Sequence, residues 1–221
     1  MRRTFLADFL RTFVSLFQKP CLASLLLFLL FYRFAEAQLV KLAAPFLMDT
    51  RENVGLGLST EEVGFVYGTV GILALTAGGL LGGILFSRHG LKRWLWPMAL
   101  LMNVPNLAYL SFAVLKPVSR YWICTGVAWE QFGYGFGFTA FLMYMIRIAR
   151  GPHQTPHYAI CTGFLALGMM LPGMISGALQ EWLGYKEFFV WIVLATAPSF
   201  AVCFLIPLEP EFGRRATGMG G

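Results

Sequence analysis

Charge is scarce in this 221-residue chain. Asp, Glu, Lys and Arg make up 13% of it, where a soluble domain carries about 25%. Set against 57% hydrophobic residues, that scarcity excludes a solvated globular surface and points to a polytopic membrane protein. Cysteine is also rare. Cys21, Cys124, Cys161 and Cys203 lie in or beside apolar runs, with no CxxC spacing, which excludes a zinc site and a disulfide scaffold. The three histidines, His89, His153 and His157, fall between apolar runs and read as solvated loop residues. No Ser-His-Asp set and no catalytic carboxylate pair is present, so the chain reads as a non-enzyme without cofactor or metal. The net charge of +6 is spread in short clusters between apolar runs, which excludes a basic nucleic-acid-binding face.

What the chain does have is long apolar runs. Six spans are expected, at roughly Leu22–Met48, Glu62–Phe86, Trp94–Leu115, Tyr121–Ile146, Tyr158–Leu183 and Phe188–Ile206. Runs of about 20–25 residues suit membrane helices, whereas barrel strands need about 10 alternating residues. The loops are short, so no soluble domain is inserted. Arg2, Arg3, Arg11, Lys19, Arg88, Lys92, Arg93, Arg147, Arg150, Arg214 and Arg215 fall on one side of the bilayer. Arg51, Lys116, Arg120 and Lys186 fall on the other. The richer side is read as cytoplasmic, with both termini inside.

Three segments are expected. Residues 1–20 form an interfacial helix on the cytoplasmic surface, with Phe5, Phe9, Phe13 and Phe17 on one face and Arg3, Asp8, Arg11, Ser15 and Lys19 on the other. Residues 21–207 form the bundle, and residues 208–221 a cytoplasmic tail. Ala35-Glu36-Ala37 imitates a signal-peptidase site, but the apolar run continues past it.

Charges inside the spans carry the functional signal. Arg33 and Glu36 lie near the centre of the first span, and Lys41 about two turns beyond. Glu130, followed by Gln131, lies inside the fourth. Charges at such depth are costly and mark solute or ion paths. Arg33 precedes Glu36 by one turn, which makes it the expected partner. Gln38, Lys41, Asn103, Asn106, Gln131 and Tyr134 are candidate cavity contacts, with Tyr144 beside them. Glycines four apart, at 64/68, 78/82, 79/83, 133/137 and 173/177, suit close helix approach. Pro45, Pro105, Pro172 and Pro198 are expected to bend or break spans.

Gly82-Gly83-Ile84-Leu85-Phe86-Ser87-Arg88-His89-Gly90-Leu91-Lys92-Arg93 resembles the signature gating loop of the major facilitator superfamily. Gly83, Arg88, Gly90, Lys92 and Arg93 carry the likeness. Ser87 stands where the pattern has an acidic residue, so the charge latch of that pattern is not carried over. Phe31-Tyr32-Arg33-Phe34-Ala35-Glu36-Ala37, Glu62-Val63-Gly64, Trp129-Glu130-Gln131-Phe132-Gly133-Tyr134-Gly135-Phe136-Gly137 and Gln180-Glu181-Trp182-Leu183-Gly184-Tyr185 look like the second half of AmpG-type muropeptide permeases. That branch also holds acetyl-CoA transporter-like proteins.

The resemblance implies an all-α membrane protein: six transmembrane helices in two inverted three-helix repeats, forming one half of a major facilitator fold. It also implies proton-coupled uptake of an anhydromuropeptide-type solute across a bacterial cytoplasmic (inner) membrane. The partners would be the lipid bilayer, the solute, the proton and either an N-terminal transporter half or a second copy. The chain is accordingly expected to be part of a longer transporter. In this reading Glu36 and Glu130 load and release the proton, with Arg33 competing for the carboxylate. A static Arg33–Glu36 pair, or a non-transporting sensor or scaffold with the same fold, are the competing readings.

Overall fold

The computed structural model describes residues 13–19 and 22–208. The expectations for residues 1–12 and for the tail beyond residue 208 fall outside the described residues. Six helices are long and apolar enough to cross a membrane: Leu22–Met48, Thr60–His89, Leu91–Leu115, Arg120–Ala149, Gln154–Leu183 and Tyr185–Leu205, here spans one to six. At about 1.5 Å per residue each reaches across a hydrocarbon core of about 30 Å. No strand occurs among the described residues.

Local chemistry moves several span boundaries outward from the hydropathy limits. Span two starts at Thr60 because Ser59 and Glu62 form a reciprocal cap. Ser59 Oγ accepts from the Glu62 amide at 3.2 Å, and the Glu62 carboxylate accepts from the Ser59 amide at 2.9 Å. Spans two and three are joined by Gly90 alone, at φ 80° and ψ 165°. Spans five and six are joined by Gly184, at φ 82° and ψ 166°. A side chain is strained at such angles. The gating segment is therefore not an extended loop. Arg88 lies in the last turn of span two, and Lys92 and Arg93 in the first turn of span three.

The matching glycine joints fall at opposite ends of the bundle, as two three-helix units of opposite direction require. Helix breaks match in part. Span three is interrupted between Asn103 and Asn106, at Pro105, and span six between Leu194 and Ala197, just before Pro198. Pro45 and Pro172 lie inside continuous helix. Span one breaks at Tyr32-Arg33 without a proline. There Ser199 of span six donates to the carbonyls of Phe31 (3.3 Å) and Tyr32 (2.6 Å), groups that the break releases.

Glycine sets the packing. A Cβ on Gly78 would lie 2.2 Å from the Phe132 carbonyl, one on Gly135 2.2 Å from the Leu75 carbonyl, and one on Gly133 1.9 Å from the Leu101 carbonyl. Spans two and three thus close on span four. Gly168 and Gly173 bring span five onto span one in the same way. Gly64, Gly68, Gly83, Gly163 and Gly177 face open space instead, so the 64/68 pair packs nothing within the bundle.

Two hydrophobic clusters stack along the bundle. One includes Phe28, Tyr32, Met98, Phe136, Phe141 and Tyr144. The other includes Phe46, Tyr109, Phe112, Val127, Phe188 and Phe189. In chain order Arg33 falls between Tyr32 of the first and Ala35 of the second, and Glu130 between Val127 of the second and Phe136 of the first.

Residues 13–17 are helical, and Leu16 is buried in the first cluster. Ser15 Oγ bonds His157 Nε2 at 2.8 Å, and Lys19 Nζ donates to the carbonyls of Ile148 and Arg150 at the end of span four. His157 is therefore buried at the start of span five rather than in a solvated loop. Span five begins at Gln154, one turn earlier than hydropathy suggests, and turns His157 toward residues 13–19. His89 and His153 are exposed, as read from the sequence.

Candidate functional site

The site begins at the break in span one. Arg33 takes φ −110° and ψ 22° at the start of the second helical piece. It is thus outside the helix that carries Glu36, and the one-turn pairing rule does not hold. Its guanidinium turns to span four. Nη2 donates to Tyr134 Oη at 2.7 Å, and the cation sits 4.8 Å from the Tyr134 ring centre and 4.7 Å from that of Phe138. Among the described residues, the ion pair within 4 Å is Arg120–Glu62, joining the starts of spans four and two. The expected Arg33–Glu36 salt bridge is not formed.

Register places the two carboxylates together. Tyr32 Oη donates to the Gly137 carbonyl at 3.1 Å, and Arg33 meets Tyr134. Spans one and four run antiparallel, so the next turn brings Glu36 opposite Glu130. Both are buried, at 3% and 4% exposure. Glu130 accepts from the Gln131 amide at 2.9 Å. One Glu36 oxygen, Arg33 Nε and both amide atoms of Asn106 have no hydrogen-bond partner. Buried polar atoms are seldom left so. The band thus holds uncommitted donors and acceptors around two carboxylates.

The other sequence candidates divide. Gln38 is fully buried and committed: its oxygen accepts from Trp191 Nε1 of span six at 2.8 Å, and its amide donates to the Phe34 carbonyl at 3.2 Å. Asn103 spends its amide on the Ala99 carbonyl of its own helix at 2.8 Å. Tyr144 packs edge-on against Phe28 in the core. Gln131 lies against Gly71, whose Cβ would come 3.2 Å from Gln131 Cγ. Lys41 is exposed, its stem lying along Gly173 of span five. Gly83, Arg88, Gly90, Lys92 and Arg93 sit at the far end of span two, remote in sequence and register from the carboxylates.

The tyrosines opposite Glu130 were not singled out in the sequence. Tyr67 lies in a π-helical turn, Val66–Gly71, within span two. Such turns concentrate at functional sites. Its hydroxyl bonds that of Tyr109 in span three, and the helix register sets both at the level of Glu130. The available signal was a tyrosine hydroxyl inside an apolar span, which needs a polar partner.

A six-span helical bundle with a buried, charged polar band is a multi-pass membrane architecture in which such charge marks a functional site. The chain is 26% identical over 190 residues to the anhydromuropeptide permease of Escherichia coli K12, covering 86% of this chain and 38% of that protein. It is 25% identical to an uncharacterised protein of Haemophilus influenzae, covering 84% and 44%. It is 22% identical to the putative transporter AmpG 2 of Rickettsia prowazekii, covering 90% and 47%. The chain spans less than half the length of these relatives. No protein-family model matches it. It is thus similar to AmpG-like permeases and is a multi-pass transmembrane protein.

Proposed function

We propose that this chain is one six-helix half of a solute transporter of the major facilitator type. Glu36 and Glu130 couple its transport to protons, and its solute is of the anhydromuropeptide kind. The observation that carries the coupling role is the pair itself: two carboxylates, one from each three-helix unit, buried at one level beside uncommitted polar atoms. Charge in that position is retained for transport more readily than for stability. The solute class rests on the relative named an anhydromuropeptide permease.

The half-transporter reading rests on the flank of spans two and five. It exposes Phe65, Leu73, Leu80, Met170, Leu171 and Met174, together with the open glycines. Such a flank suits a second six-helix bundle, either an N-terminal half or a second copy, and the relatives are about twice as long. In this reading the protein lies in a bacterial inner membrane with both termini cytoplasmic.

Uptake of a radiolabelled anhydromuropeptide into vesicles, with and without an imposed pH gradient, tests the reading. Glu36→Gln and Glu130→Gln in the complete transporter should each abolish gradient-driven accumulation while leaving membrane insertion intact. Accumulation like the parent's by both variants overturns the coupling role.

A further inference from the structure

Glu36 and Glu130 are sealed inside the bundle, so a proton that reaches them must be handed in. Contacts at Gly71–Gln131, Gly78–Phe132 and Gly82–Thr139 set spans two and four parallel. One turn before Gly71 is Tyr67, which this register places at the level of Val127–Glu130. Span three runs antiparallel to span four, with Gly133 on Leu101 and Gly126 on Phe112. Tyr109 therefore arrives at the same level from the other side. The two hydroxyls meet in a hydrogen bond that either can donate. Tyr109 is fully buried, while Tyr67 is only partly covered.

We infer that the Tyr67–Tyr109 pair is the proton entry path to the Glu130–Glu36 carboxylates. This rests on the coupling role proposed for those carboxylates. Tyr67, partly exposed on the span-two flank that faces the second bundle, takes a proton on its oxygen from water in the space between the bundles and passes its own hydroxyl proton to Tyr109. Neither hydroxyl bonds a carboxylate in this structure, so Tyr109 turns toward Glu130 to pass its proton on. Each hydroxyl ends with one proton, and one proton has moved from water to the carboxylate. The pair resets by rotation of both O–H bonds, which a hydrogen bond without a fixed donor permits. The titratable and charged groups around this path are Arg33 and Glu36 from span one, Tyr67 from span two, Tyr109 from span three and Glu130 and Tyr134 from span four. The π-turn at Val66–Gly71 holds Tyr67 where its hydroxyl meets that of Tyr109.

Infrared difference spectroscopy after a pH jump reads the step directly, with no solute needed. The complete transporter is placed in lipid vesicles, and the protonated-carboxyl band is assigned by its loss in Glu36→Gln and Glu130→Gln. Tyr67→Phe and Tyr109→Phe should slow the appearance of that band by on the order of 10²-fold and leave its final amplitude unchanged. A purely structural role would move the amplitude and not the rate. Tyr67→Phe decides the matter, because its partly exposed ring keeps its packing. An unchanged rate in Tyr67→Phe overturns the relay and leaves the carboxylate role standing. A parent protein without a band lost in either Glu variant overturns the carboxylate role itself, and the relay with it.

Discussion

Arg33 shows how one backbone break redirects a charge. Held against the neighbouring rings of Tyr134 and Phe138 and by the Tyr134 hydroxyl, it uses the flat, delocalised guanidinium, which an ammonium cannot supply. Arg33→Lys is therefore expected to lower bundle stability by about 1–2 kcal/mol although the charge is kept, read as a lower unfolding temperature in detergent. Gln38 was a cavity candidate on sequence grounds, but its bond to Trp191 makes it a clasp between spans one and six. A double-mutant cycle of Gln38→Leu and Trp191→Phe should give a coupling of about 0.6–1.7 kcal/mol. Coupling indistinguishable from zero would return Gln38 to the cavity.

Among the helices, glycine divides into two classes that the sequence presents alike. Gly133 and Gly135 sit against carbonyl oxygens of neighbouring spans, whereas Gly68 and Gly177 face open space. Gly133→Ala and Gly135→Ala must push helices apart and should cost about 1–3 kcal/mol. Gly68→Ala and Gly177→Ala should leave the stability of the six-helix bundle unchanged and weaken only its association with a second bundle. Unfolding curves of the chain and chromatography of the complete transporter separate the two effects. The joints add a third class. Gly90→Ala and Gly184→Ala force a Cβ into the φ 80–82° region, and both should destabilise by a similar amount, about 1–3 kcal/mol.

For the whole molecule, topology and the proposed need for a second bundle are testable. With both termini cytoplasmic, a cysteine at Ser119, before span four, should react with an impermeant reagent from outside. One at Ser87, near the end of span two, should react only from inside. The reverse pattern would invert the bundle. Alternating access rocks one bundle against another around a shared site, and this chain leaves the flank of spans two and five exposed. The purified chain, verified as a monomer in proteoliposomes, should show no saturable pH-driven uptake. Robust uptake by that monomer would refute the half-transporter reading.

The spans and the depth of their charges were legible in the sequence. Hydropathy is a local sum along the chain, and a bilayer of fixed thickness turns it into helices of fixed length. Leu22–Met48 came out with the same limits in the structure, and Arg33, Glu36 and Glu130 stood out because charge inside such a run has few explanations. What those residues touch was decided only by tertiary structure. The break at Tyr32-Arg33 carries no proline or glycine and is met by Ser199, more than 160 residues away. It sends Arg33 to Tyr134 rather than Glu36. The burial of His157 depends on Ser15, and the Tyr67–Tyr109 bond on a π-turn facing another span. Each is a matter of rotation about a helix axis and register between helices. Those quantities are set by side-chain packing across the bundle, to which the apolar count of a single segment is blind.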